Sequence, residues 1–93
     1  MSQAHRVRLA AKNEGIEYRD GSGVYRFDVQ LEGRNWIVYL PGSKGEQFQK
    51  HDLTAAERDL ILPRIVRYLA RHNLLSILGR RYSVSFVDRP WRR

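Results

Sequence analysis

After Val24 the chain alternates through Glu32: Tyr25, Phe27, Val29 and Leu31 fall on one side of an extended chain, Arg26, Asp28, Gln30 and Glu32 on the other. A period of two held this long predicts a strand with one face buried and one in water. Its flanks extend the pattern into a meander. Upstream, Ile16, Glu17, Tyr18 and Arg19 alternate before Asp20, Gly21, Ser22 and Gly23, residue types suited to a tight hairpin turn. Downstream, Gly33 and Arg34 turn the chain into Asn35 and then Trp36, Ile37, Val38, Tyr39 and Leu40, apolar on both faces as in a central strand. Pro41 and Gly42 are expected to end it.

Residues 42–52 are polar except for Phe48, which predicts an irregular crossover pinned down by that ring. Thr54 and Glu57 then have the spacing of a capping box, in which two side chains satisfy the unpaired N–H groups at a helix start. At about 100° per residue, Ile61, Leu62, Ile65, Val66 and Leu69 make one apolar stripe, with Arg64, Arg67 and Arg71 nearly opposite. Pro63 lies inside this segment, where a proline costs roughly 3 kcal/mol unless a bend relieves it, so a bend is expected over residues 59–63. His72 and Asn73 supply a helix stop. Residues 74–78 fit a strand turning at Gly79 and Arg80, or one more helical piece. Residues 81–87 fit a strand with Tyr82, Val84 and Phe86 on one face, and residues 88–93 an exposed basic tail. Residues 1–12 fit a basic arm or an edge strand.

Together these segments predict an α+β fold. Its antiparallel sheet is a three-stranded meander plus one or two C-terminal strands, with one amphipathic helix on one face. At 93 residues there is room for a single domain. Cysteine is absent, so neither a disulfide framework nor a thiolate zinc site is available, and no segment has the apolar run of a signal peptide or membrane span. A cytoplasmic protein is expected.

Charge is distributed unevenly. Residues 1–62 carry nine Lys and Arg against nine Asp and Glu, whereas residues 63–93 carry eight arginines against Asp88. Arginine grips carboxylates and phosphates in bidentate fashion, and Arg64, Arg67 and Arg71 lack acidic neighbours that would make them an ordinary interleaved solvent face. The candidate partner-binding residues are therefore Arg64, Arg67, Arg71, Arg80 and Arg81, with Tyr68 and Trp91 as aromatic anchors. A solvated helix face explains the three helical arginines about equally well, and a hydrophobic core explains Tyr68.

No catalytic constellation is visible, and no cofactor is implied. His5, His51 and His72 are far apart and unpaired with acids at ligand spacing, and Asp28 with Glu32 reads as a solvated strand face before an acid–base pair. Gly21 to Gly23 and Gly42 to Gly45 match no phosphate-binding loop and read as turns. Helix-turn-helix, zinc-finger and RNA-recognition motifs are missing too. A non-enzymatic binding protein is expected.

Ile16, Glu17, Tyr18, Arg19, Asp20 and Gly21, then Tyr25 to Val29, Trp36 to Tyr39, and Leu53 to Arg58 with Ile61, Ile65 and Asn73, make up a pattern that resembles the immunity protein 74 family of bacterial polymorphic toxin systems. The likeness covers residues 15–78. It departs after Tyr39, where the family shows Trp-Glu followed by prolines and this chain reads Gly45-Glu46-Gln47-Phe48-Gln49. The resemblance implies a small α+β antidote that binds a cognate toxin and blocks it; the arginine-rich surface is then expected to meet an acidic region of that toxin. Nucleic acid is the second choice of partner, and a homodimer through an open sheet edge stays open.

Overall fold

The computed structural model describes residues 4–10, 15–71 and 82–88; of Ala10 and Arg71 it describes the backbone. Among these residues six strands and one helix follow in the order β1 (His5–Ala10), β2 (Gly15–Asp20), β3 (Gly23–Glu32), β4 (Asn35–Lys44), β5 (Gln49–His51), α1 (Ala55–Arg71) and β6 (Ser83–Asp88). They form a single sheet in the order β1-β2-β3-β4-β5, with β6 also on β4. The α+β class stands, and the meander is longer than the three strands expected. Residues 1–12 contribute the edge strand β1, in register from His5 opposite Asp20 to Ala10 opposite Gly15.

Two expectations fail in the second half of the sheet. β4 does not end at Pro41 and Gly42 but runs on to Lys44. Arg26 and Asp28, two apart on β3, pair with Ser43 and Tyr39, four apart on β4, so the extra residues form an irregularity that holds Pro41. A proline, having no N–H for the ladder, is tolerated at such a bulge. Gly42 is needed there, because a Cβ at that position would lie 2.4 Å from the Arg26 carbonyl oxygen and 2.4 Å from the Phe27 ring. The extension of β4 recruits the supposed crossover: Gln49–His51 pairs with residues 42–44.

β6 is parallel to β4, from Asn35 opposite Ser83 to Leu40 opposite Asp88, where an all-antiparallel sheet was expected. The strand returns after a helix, and such a crossover can bring the chain back in the same direction. β5 and β6 thus share one edge of β4. The helix end at His72 and Asn73, the segment 74–78 with its turn at Gly79 and Arg80, and the tail 89–93 lie outside the described residues.

One face of the sheet packs on α1. Ile16, Tyr18, Tyr25, Phe27, Val29, Trp36, Val38 and Leu40 from the strands meet Ile61, Ile65 and Leu69 from the helix in a single core. Leu31, though on the same side of β3, is exposed beyond the end of that core. The capping box forms as its spacing predicts, with Thr54 N–H donating to Glu57 Oε1 at 2.8 Å and Glu57 N–H to Thr54 Oγ1 at 3.1 Å. α1 continues as one helix through Pro63, which is on its exposed side. The buried stripe is rotated from the expected one: Val66 is exposed and Tyr68 half-buried.

Candidate partner-binding face

The face of the sheet turned away from α1 carries the polar members of each alternating strand. Antiparallel register lines them up across the sheet: Arg8 is opposite Glu17, Glu17 opposite Arg26, Arg26 opposite Ser43, and Ser43 opposite Lys50. Beside this row, Arg6 is directly opposite Arg19. Arg8, Arg19 and Arg26 therefore gather around the Glu17 carboxylate, with Arg6 and Lys50 further out on the same face, the one turned away from the helix.

Glu17 organises the group. Its side chain is only 9% exposed, with Arg26 Nη2 at 3.2 Å, Arg8 Nη2 at 3.5 Å and Arg19 Nη2 at 3.5 Å. Burial alone would raise its pKa; the hydrogen bond from Arg26 and the charges of Arg8 and Arg19 outweigh burial and hold it below the ordinary carboxylate value. Glu17 is thus ionised at neutral pH and fixes three guanidinium groups while neutralising one charge. Arg26 Nε is buried and makes no hydrogen bond.

Phe48 borders the same row. The Arg26 guanidinium lies over its ring, 4.4 Å from the centroid. Phe48 takes φ 53°, a left-handed conformation that costs a non-glycine residue about 1–2 kcal/mol, and its N–H donates to the Gly45 carbonyl at 3.1 Å. The ring is nonetheless 49% exposed. It does not pin the loop to the core, as expected from the sequence; it presents an apolar surface beside the arginines.

The far end of the face is different. Asp28 and Glu32 project from β3 on the same side as Arg26, with Glu32 taking a hydrogen bond from Gln30 at 3.2 Å and Gln30 in turn accepting from Tyr39 at 2.8 Å. The face is thus basic along the cross-strand row through Arg26 and bears carboxylates further along β3, toward Glu32.

Of the residues singled out in the sequence, Arg64, Arg67 and Tyr68 have described side chains. Arg64 is half-buried and donates to the Tyr18 hydroxyl at 2.7 Å, and that hydroxyl donates to Asp20 at 2.7 Å. Burial first, and then the Asp20 hydrogen bond, push Tyr18 up to about 12, so it stays a neutral link in this chain. Tyr68 accepts the N–H of Leu9 at 3.1 Å and ties α1 to β1. Arg67 is exposed on α1. The side chain of Arg71, with Arg80, Arg81 and Trp91, lies outside the described residues.

A second polar cluster holds the helix start to the sheet. Glu57 accepts from Tyr25 at 2.7 Å, lies 2.9 Å from His51 Nε2 and 3.6 Å from Lys44 Nζ, and accepts the Thr54 N–H. Burial opposes its charge, but the Thr54 N–H, the Tyr25 hydroxyl and His51 together bring the carboxyl down to about 2. With its oxygens so engaged, Glu57 is a clasp and a poor proton acceptor. No three His, Cys, Asp or Glu side chains among the described residues converge as metal ligands, and no described helix is long and apolar enough to cross a membrane.

The basic face escaped the sequence reading because charges over residues 1–62 cancel in sum. The signal was the strand period itself: Arg6 with Arg8, Glu17 with Arg19, and Arg26 with Asp28 are each two apart and share a face once the hairpins are stacked. Comparisons with family models, curated proteins and solved structures find no match for this chain.

Proposed function

We propose that this protein is a non-catalytic binding module that docks an acidic region of a partner protein on the open face of its sheet, serving as the toxin antidote that its resemblance to immunity proteins implies. The observation that carries the reading is the buried carboxylate of Glu17 holding Arg8, Arg19 and Arg26 in a fixed array beside the exposed ring of Phe48. Orienting charged side chains before binding lowers the entropy lost on association, and an aromatic ring next to arginine is the usual composition of an interface hot spot. The outer cations Arg6 and Lys50 steer encounter and set register more than they add affinity.

The bipolar face favours a protein over a nucleic acid. Asp28 follows Arg26 by two residues on the same side of β3, with Glu32 further along, so carboxylates flank the cation row; a protein surface can match both signs, whereas a phosphate backbone pairs with the cations alone. The test mixes the purified protein with the product of its adjacent gene and measures co-elution and heat of binding. A one-to-one complex weakened by Arg19→Glu supports the reading. Failure to associate, with salt-sensitive binding of generic RNA or DNA instead, overturns it.

A further inference from the structure

β1 is an edge strand whose outer side is only partly closed. Leu9 N–H leaves the sheet to reach the Tyr68 hydroxyl at 3.1 Å. Alternation along an antiparallel strand then directs the N–H and C=O groups of Val7 and His5 outward as well. Among the described residues β1 pairs with β2 alone, and no backbone partner meets Val7 or His5 on the outer side. Tyr68 closes one end of the edge; among the described residues nothing closes the other.

The side chains of β1 specify what that strand would carry. Arg6 and Arg8 point to the open face, and Val7 and Leu9 pack against the core. Arg6 has Arg19 directly across from it on β2, a like-charge pair that costs stability, and no carboxylate reaches Arg6 among the described residues. A second copy of β1 is a poor occupant, because antiparallel pairing about Val7 would set Arg6 against Arg8 of the other copy. An added strand with a carboxylate beside Arg6, a second one two residues on beside Arg8, and an apolar residue between them reverses the repulsion.

We propose that the acidic partner engages this protein by strand addition: an extended segment of alternating acidic and apolar residues pairs antiparallel with β1 and hydrogen-bonds to Val7 and His5. The inference rests on the acidic-partner reading and adds the backbone as the point of attachment. Main-chain hydrogen bonds hold such a segment, and its alternate side chains give selectivity. The alternative is that Arg6 and Arg8 only guard the edge against aggregation, a common use of charge on edge strands.

The experiment uses the full chain and a short capped peptide alternating glutamate and valine, followed by fluorescence anisotropy and by amide exchange. Two N-methylated forms separate backbone from side-chain contact. In antiparallel pairing the valines opposite Val7 and His5 exchange both hydrogen bonds, so methylation at valine nitrogens should weaken binding by about tenfold or more. Methylation at glutamate nitrogens, which point away from β1, should leave binding within about threefold. Saturating peptide should slow exchange of the Val7 amide, and Arg6→Glu should shift preference to a lysine–valine peptide.

Equal binding of both methylated forms, or unchanged Val7 exchange at saturation, overturns strand addition while leaving face docking intact. Absence of peptide binding also overturns it. Loss of the adjacent-gene complex in the earlier test would instead remove the acidic-partner reading itself.

Discussion

The Tyr25 hydroxyl of β3 donates to Glu57 Oε2 at 2.7 Å, joining the middle of the sheet to the first turn of the helix. Because the same carboxylate also accepts the capping N–H of Thr54, the helix start and its docking on the sheet depend on one charge. Tyr25→Phe removes a hydrogen bond to a charged acceptor and should cost about 1.5–3 kcal/mol in urea denaturation, without altering partner binding.

The clasp also sets an acid limit. The Glu57 carboxyl falls from an ordinary 4.5 to about 2 on folding. A depressed carboxylate contributes stability that is fully present above its unfolded value and is lost as pH falls through the folded one. Unfolding free energy should therefore be level for this group above about pH 5 and decline between about pH 4.5 and 2, by at most about 3 kcal/mol. Glu17, also held low, adds a loss in the same direction. Glu57→Gln should be less stable at pH 7 and show a shallower decline, measured by denaturation at pH 7, 4.5 and 3.

Gly42 gives a steric prediction. A methyl group there would collide with the Arg26 carbonyl and the Phe27 ring, both at 2.4 Å and both part of the packed sheet. Gly42→Ala should lower stability by more than about 3 kcal/mol, seen as a fall in Tm of well over 10 °C for a domain of this size. An unchanged Tm would mean that β4 does not pass this close to β3.

Much of the fold was legible because its signals are local. The alternation of Tyr25, Phe27 and Val29, the turn residues around Gly21 and the Thr54–Glu57 spacing each report on a few neighbouring residues. The run of β4 through Pro41 and the parallel pairing of β6 were not legible, since both depend on which strand lies alongside. The site suffered more. A helical wheel put Arg64 in solvent because it took Val66 as buried, but the stripe turns toward Tyr68, and Arg64 then reaches Tyr18. Arg6, Arg8, Arg19 and Arg26 were hidden in a balanced total that only strand register separates by face.

Arg64 and Arg67 should consequently behave differently. Arg64→Ala breaks the chain to Tyr18 and Asp20 and should cost about 1–2 kcal/mol, whereas exposed Arg67→Ala should stay within about 0.5 kcal/mol. Thermal denaturation of the two variants distinguishes an internal tie from a surface charge.

Phe48 should separate stability from binding. Glycine at φ 53° removes backbone strain of about 1–2 kcal/mol and forfeits a cation–π contact worth about 0.5–1 kcal/mol at an exposed site. Phe48→Gly should thus leave stability nearly unchanged, where Phe27→Ala in the core should cost about 3–5 kcal/mol. Partner affinity should fall at least tenfold in Phe48→Gly, by about 1.4 kcal/mol or more, when measured by calorimetry.

The most direct test compares charge reversal on the two faces. Calorimetric titration with the adjacent gene's product should show Arg19→Glu weakening the complex by about tenfold or more and Arg67→Glu leaving it within about twofold, both proteins remaining folded. If Arg67→Glu abolishes binding while Arg19→Glu binds like the unaltered chain, the partner sits on the helix and the sheet face is not the binding surface.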